Sequence, residues 1–264
     1  MTPRTAIVVP TLGKRPEFLY ECLASIQSSG NVHVRLVVPD GAEFSSSIRG
    51  MYTDVVIEPG GGLARAINAG LKGLPESICY VNWLGDDDRL APGGIQRLEQ
   101  ALDDDRDVAV AFGGCTYIDE TGSVLFTNPS GQWAVQLLSF GPQLISQPAL
   151  LCRKSFFEEM GGLDESLQYA FDLDLLLRVK KLARIQHVRA VTASYRWHQN
   201  ALTVGSRRRS VIEASSVRRR HFSLAIRWAG FMWEPLVRNT IYLTGSLVTL
   251  LMARGIRNRK KKSI

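Results

Sequence analysis

Short apolar runs and helix-period stripes succeed one another along the first 200 residues or so, the pattern of strands alternating with helices. Residues 5–9 form a β-branched run, and the loop 10–13 leads to Pro16, which suits the first turn of a helix. Phe18, Leu19, Cys22, Leu23 and Ile26 recur at helical spacing as far as Gly30-Asn31, and 32–38 then alternates into a second strand closing on Pro39-Asp40-Gly41. This is a βαβ unit, whose crossover places Thr11 and Asp40 side by side at one edge of the sheet. A short strand at 55–57 precedes Gly60-Gly61-Gly62, which opens a helix through Leu63, Ala66, Ile67 and Leu71. Residues 78–84 are mostly apolar and rich in β-formers, as a buried central strand requires, and Gly85 lets the chain turn sharply after it. Beyond Pro92 the pattern predicts a helix at 94–102, a buried strand at 108–112, and a hairpin pairing 115–118 with 124–126. Helices follow at 132–140, 153–160 and 169–182, with late strands at 185–188 and 191–195. The whole predicts an α/β fold with an open, mostly parallel sheet flanked by helices.

Charge divides the chain. Residues 1–194 carry 17 Lys and Arg against 23 Asp and Glu, whereas 195–264 carry 15 against 2, so the formal net charge of +7 belongs to the tail. Composition therefore predicts a domain at 1–205 and a helical, basic extension at 206–264. Its partner is expected to be an anionic membrane surface. The longest uncharged run there, 239–253, is shorter than the roughly 20 residues that cross a bilayer. With the polybasic end 254–262 it reads as an interfacial anchor, or alternatively as a packed helical hairpin or oligomer contact. Nucleic acid is not expected, since no recognised motif accompanies the charge. Cys22, Cys79, Cys115 and Cys152 lack zinc spacing and lie among apolar neighbours, which predicts reduced, buried thiols of a cytoplasmic protein. No signal peptide is predicted.

Three carboxylates, Asp86, Asp87 and Asp88, follow the central strand. Adjacent like charges at a hydrophobic strand end are costly unless a cation or a web of donors neutralises them, and oxygen ligands suit Mg²⁺ or Mn²⁺. A second triplet, Asp103 to Asp105, closes a helix with no strand leading into it and reads as a surface turn. Open α/β sheets bind ligands beyond the carboxyl ends of their strands, which singles out the first triplet. The glycines before Leu63 offer backbone N–H groups to a phosphate, and Arg65 and Asn68 share a face of that helix, facing either ligand or water. Asp40 is either an ordinary turn residue or an acceptor for a nucleobase. Asp174 has Arg178 four residues ahead as an ion-pair partner. Asp172 has none, so it is either a helix N-terminal acid or, directed into a cleft, a general base. His198, two residues after Arg196, is a candidate phosphate or metal contact.

These motifs in this order resemble the family-2, GT-A-fold glycosyltransferases, over roughly residues 5–200. The likeness rests on Ala-Ile-Val-Val-Pro-Thr from Ala6, Asp40-Gly41, Gly-Leu-Ala-Arg-Ala-Ile-Asn-Ala-Gly from Gly62 and Asn-Trp-Leu-Gly-Asp-Asp-Asp from Asn82. It continues through Gln-Pro-Ala from Gln147, Gly-Gly-Leu-Asp-Glu-Ser-Leu from Gly161, Phe-Asp-Leu-Asp-Leu from Phe171 and Arg-Trp-His from Arg196. The resemblance implies an inverting enzyme that moves a sugar from a nucleoside diphosphate sugar to a hydroxyl on a glycan or lipid-linked acceptor, in cell-surface polysaccharide synthesis at the inner face of the membrane. Pro10, Thr11, Asp40, Arg65, Asn68 and Asp86 would contact the donor, Asp87, Asp88 and His198 the metal, and Asp172 would be the base. Two departures stand out: Gly85 replaces the first acid of the usual metal motif, and Phe171 replaces the Glu that often precedes the base. A nucleotidyltransferase and a non-catalytic nucleotide-sugar-binding assembly protein are the alternatives.

Overall fold

A computed structural model describes residues 2–58, 60–128, 130–198, 206–223, 235–247 and 249–250. Its centre is a sheet in the order β3-β2-β1-β4-β8-β6-β9-β5, with β7 paired to β6. The first half is parallel: β1 (Thr5–Pro10) lies between β2 (Val32–Val38) and β4 (Tyr80–Trp83), and β3 (Asp54–Ile57) flanks β2. The parallel pairing resumes between β6 and β9, and antiparallel strands are set into it. β8 (Leu150–Arg153) enters antiparallel to both β4 and β6 (Val108–Ile118), β7 (Val124–Thr127) is a hairpin partner of β6, and β5 (Arg89–Leu90) runs antiparallel to β9 (Arg184–Arg196). The two late strands are one, β9, whose pairing with β6 shifts register three times, so that a single strand carries two apolar runs.

Helices α1 (Pro16–Ser28), α2 (Leu63–Leu71) and α3 (Gly94–Asp104) follow the predicted stripes. Gly70 fits α2 onto the sheet, since a Cβ there would stand 2.5 Å from Val8 and 2.6 Å from Val37. The helix expected over 132–140 is only the short α4 (Ala134–Leu137), and α5 (Lys154–Glu159) and α6 (Phe171–Leu182) complete the domain. Cys22, Cys115 and Cys152 are buried as expected. Cys79 is exposed, lying just ahead of β4 rather than within it.

The basic stretch after 206 is not set apart from this core. Helix α7 (Arg207–His221) buries Val217 in the same apolar cluster as α2 and α6, and Arg218 is buried with its Nε donating to the Leu138 carbonyl at 3.0 Å. The change in composition near 206 thus coincides with close packing of α7 on the residues before it. Residues 235–247 are helical as well. Among the described residues no helix is long and apolar enough to cross a membrane. The polybasic end 254–262 lies outside the described residues, as do 224–234, 248 and 251–253.

Candidate active site

One cavity of about 890 Å³ opens at the carboxyl ends of β1 and β4. Pro10 and Thr11 line it from β1 and its loop, Asp86, Asp87 and Asp88 from the turn after β4, Asp172 from the first turn of α6, and His198 from just beyond β9. The sequence separates these groups by up to 188 positions, and the sheet order brings them together, since β1 and β4 are neighbours.

Each member of the acid triplet has a different environment. Asp86 accepts from the Thr11 hydroxyl at 2.6 Å and from Arg15 at 2.8 Å, yet burial dominates and raises its carboxyl above the ordinary value. Asp87 is also penalised by burial, but the His198 ring and the Arg15 guanidinium, at 2.7 Å each, outweigh that and hold it low. Asp88 is enclosed and accepts the Arg196 backbone N–H at 2.9 Å; burial, followed by the charge of Asp87, pushes it well above the carboxylate range. A carboxyl so raised and so engaged is a brace between the acidic turn and β9. Asp88 thus ties the acidic turn to β9 while lining the same cavity as Asp86 and Asp87.

Arg196 is part of that brace and makes no phosphate site. Its guanidinium donates to the carbonyls of Asp87 at 2.9 Å, Asp119 at 3.1 Å and Glu120 at 2.9 Å, and pairs with Glu21. The Arg side chain is thus spent on fixing the backbone from which Asp87 projects. Gly85 has an equally local cause: a Cβ at this position would lie 2.8 Å from an Asp87 carboxylate oxygen and 3.1 Å from one of Asp88. The missing first acid of the motif leaves room that the next two carboxylates fill.

The residues fit a divalent cation at Asp87 and His198. Their facing atoms are 2.7 Å apart and lie on the cavity wall, near the roughly 3 Å that separates neighbouring donors around an octahedral Mg²⁺ or Mn²⁺. Among the described residues no cluster of three His, Cys, Asp or Glu side chains forms a metal cage. One or two protein ligands, with the remainder from substrate phosphates, is the ordinary arrangement for such an ion.

Asp172 accepts from Gln143 Nε2 at 2.7 Å and from the Leu173 backbone N–H at 2.8 Å. Burial is the largest influence and exceeds both hydrogen bonds, so its carboxyl is raised, with the Glu213 charge adding to the effect. An acid with no basic partner among the described residues, poised to ionise above the usual range on a cavity wall, has the properties of a general base.

Three predicted contacts are placed elsewhere. Asn68 is used up structurally: its Nδ2 donates to the Leu163 carbonyl at 2.9 Å and to Glu165 at 3.0 Å, and its Oδ1 accepts the Leu163 N–H at 2.9 Å. Arg65, about half exposed, lies 3.8 Å from Glu165 and does not line the cavity. Asp40 is exposed beyond β2 and is likewise absent from the lining. In their place the sequence reading missed Arg15, Gln143 and Glu213. Arg15 had a signal, as a cation in the short loop after β1; the other two sit in stretches with no local pattern.

No family profile matches the chain. Among named proteins it is similar to an uncharacterized glycosyltransferase of Rickettsia typhi, 24% identical over 258 residues, 93% of this chain and 76% of that protein. It is also similar to one of Rickettsia felis, 26% identical over 212 residues, of which the match spans 34%. In structure it resembles Staphylococcus aureus TarS bound to UDP-GlcNAc, with a TM-score of 0.62 at 14% identity, covering 84% of this chain and 66% of that one. The mannosyltransferase PcManGT of Pyrobaculum calidifontis, in complex with GDP-Man and Mn²⁺, gives 0.58 at 16% identity, covering 86% and 65%. The chain thus spans about three quarters of one relative and two thirds or less of the others. Its α/β fold, a curled sheet flanked by helices, is the one these glycosyltransferases share.

Proposed function

We propose that the protein is a metal-dependent, inverting glycosyltransferase of family 2 that moves a sugar from a nucleoside diphosphate donor to a hydroxyl. The observation that carries this reading is the single cavity lined both by the acid triplet and by Asp172. Its volume suits a nucleotide sugar. The named relatives and the donor-bound structural neighbours point the same way.

In this reading the donor diphosphate lies against the acidic turn, with Asp87 and His198 as protein ligands to Mg²⁺ or Mn²⁺. The cation supplies positive charge that stabilises the departing nucleoside diphosphate. Pro10 and Thr11 border the donor beside Asp86, and Gly62 at the start of α2 lines the same cavity. Asp40 and Arg65 are left to the rim. Asp172 takes the proton of the acceptor hydroxyl, whose oxygen attacks the anomeric carbon as the bond to the diphosphate breaks on the far side, which inverts the configuration. The test is Asp172→Asn, expected to abolish transfer while nucleotide binding persists; undiminished turnover overturns the role.

The acceptor is proposed to be a glycan or lipid-linked hydroxyl in cell-surface polysaccharide synthesis, met at the cytoplasmic membrane face. Ile241, Gly245 and Thr249 of the 235–247 helix and its continuation line the cavity, while Leu236, Leu243, Leu247 and Leu250 are exposed. Their spacing makes an outer apolar stripe, and the basic end 254–262 follows it in sequence. Co-sedimentation with anionic but not neutral vesicles is expected, and equal partitioning overturns it.

A further inference from the structure

Three polar atoms meet at the acidic turn. Arg15 Nη1 lies 2.7 Å from Asp87 Oδ2 and 2.8 Å from His198 Nε2, and the same His198 Nε2 lies 2.7 Å from the same Asp87 Oδ2. The hydrogens available satisfy only two of these three contacts. If His198 Nε2 carries a proton, it donates to Asp87 but turns an N–H toward the N–H groups of Arg15. If it carries a lone pair, it accepts from Arg15 but faces the lone pairs of Asp87. A guanidinium leaves one edge of the triangle unsatisfied in either tautomer. A divalent cation in its place accepts a lone pair from both atoms.

Arg15 is the most exposed member of the three. Its side chain is 38% exposed against 5% for His198, and it projects from the short loop between β1 and α1 rather than from within an element. Its other arm donates to Asp86 Oδ1 at 2.8 Å, so it bridges two carboxylates that would otherwise repel. Lys14 lines the same cavity beside it.

We propose that Arg15 is a latch: in the donor-free protein it holds the place of the divalent cation at Asp87 and His198, and the cation displaces it toward the donor diphosphate. This rests on the glycosyltransferase reading for the diphosphate, but the displacement itself is a property of the protein and the metal alone. The test is therefore Mn²⁺ binding without nucleotide, followed by electron paramagnetic resonance on the full chain. Arg15→Met and Arg15→Gln are each expected to bind Mn²⁺ at least tenfold more tightly than the wild type. Lys14→Met, which removes the same charge from the same wall, is expected to stay within twofold. Two independent replacements guard against one that fails to fold. Arg15 variants no tighter than Lys14→Met, or no Mn²⁺ binding by any of the proteins, overturn the latch. Adding UDP or GDP is expected to narrow the gap between wild type and Arg15→Met, because the freed guanidinium gains a diphosphate partner. If the gap persists while the metal-only results hold, the latch stands as a metal gate and the nucleotide reading fails.

Discussion

Gln143 Nε2 donates to Asp172 Oδ2 across a 2.7 Å hydrogen bond, joining the loop before β8 to the first turn of α6. That donor favours the ionised carboxylate, against a burial that disfavours it and wins. A base must be ionised to work, so transfer is expected to fall as pH drops through the raised value, above the range of an ordinary Asp. Gln143→Leu removes a donor to the charged form and should move this acidic limb to higher pH. A profile of kcat/KM against pH checks it, and an unmoved limb dissociates Asp172 from catalysis. Because burial penalises the charge, Asp172→Asn should also melt no lower than the wild type at neutral pH.

Glu213 reaches from α7 to the chain entering α6, where its carboxylate accepts the backbone N–H groups of Gln168 at 3.0 Å, Tyr169 at 2.7 Å and Ala170 at 2.8 Å. These residues lead into α6 and Asp172, so on the proposed reading Glu213 would position the base without touching a reacting atom. Glu213→Ala is expected to lower kcat while leaving nucleotide affinity unchanged, and to cost about 1–3 kcal/mol in a denaturant melt. The negative charge also raises Asp172, so Glu213→Gln should shift the acidic limb to lower pH. A structural role alone would not move that limb.

Gly85 leads directly into the acid triplet, and a methyl group there would crowd the Asp87 and Asp88 carboxylates. Gly85→Ala must rotate one of them. A displacement near 1 Å at a reacting group costs roughly 10²-fold in rate. The expected outcome is that scale of loss in turnover with weaker Mn²⁺ binding and a small change in melting temperature; wild-type turnover would show that the carboxylates are not held in register by this glycine.

The parallel half of the sheet was legible because β1, β2 and β4 carry their burial in the sequence as apolar runs, and the triplet announces the end of β4. The antiparallel entry of β8 was not, because Leu150–Arg153 reads the same in either direction and its pairing is decided by β4 and β6 on either side. Site residues fared the same way. Asp172, Asp87 and His198 were singled out by charge and position along the chain, and all three line one cavity. Asn68 looked like a ligand because a polar residue on an apolar helix lacks a local partner, yet its partner is Leu163, 95 positions away. Gln143 meets Asp172 across 29 positions, and Glu213 meets the chain before it across 43 to 45, contacts that no local pattern records. The helical, basic character of α7 was legible, but not the burial of its Val217 and Arg218.

Asp174 joins α6 to α7, accepting from Arg178 one turn on at 2.8 Å and lying 2.9 Å from His221 Nε2. Burial works against its charge, but the His221 hydrogen bond and the Arg178 charge outweigh it, so its carboxyl is held below the ordinary value. A carboxylate depressed in the folded state contributes stability that is present above the unfolded value, near 3.8, and lost as pH falls through the folded one. Asp174→Asn should therefore be less stable than the wild type at pH 7 by about 1–3 kcal/mol, on the scale of hydrogen bonds to a charged group. Urea melts between neutral and acidic pH should show the two proteins converging as the wild-type carboxylate protonates. Because α7 carries Glu213, the same substitution is expected to lower kcat in proportion to the fraction of molecules in which α7 has let go of α6. A constant stability difference at every pH would mean that the ion pair does not fasten the two helices.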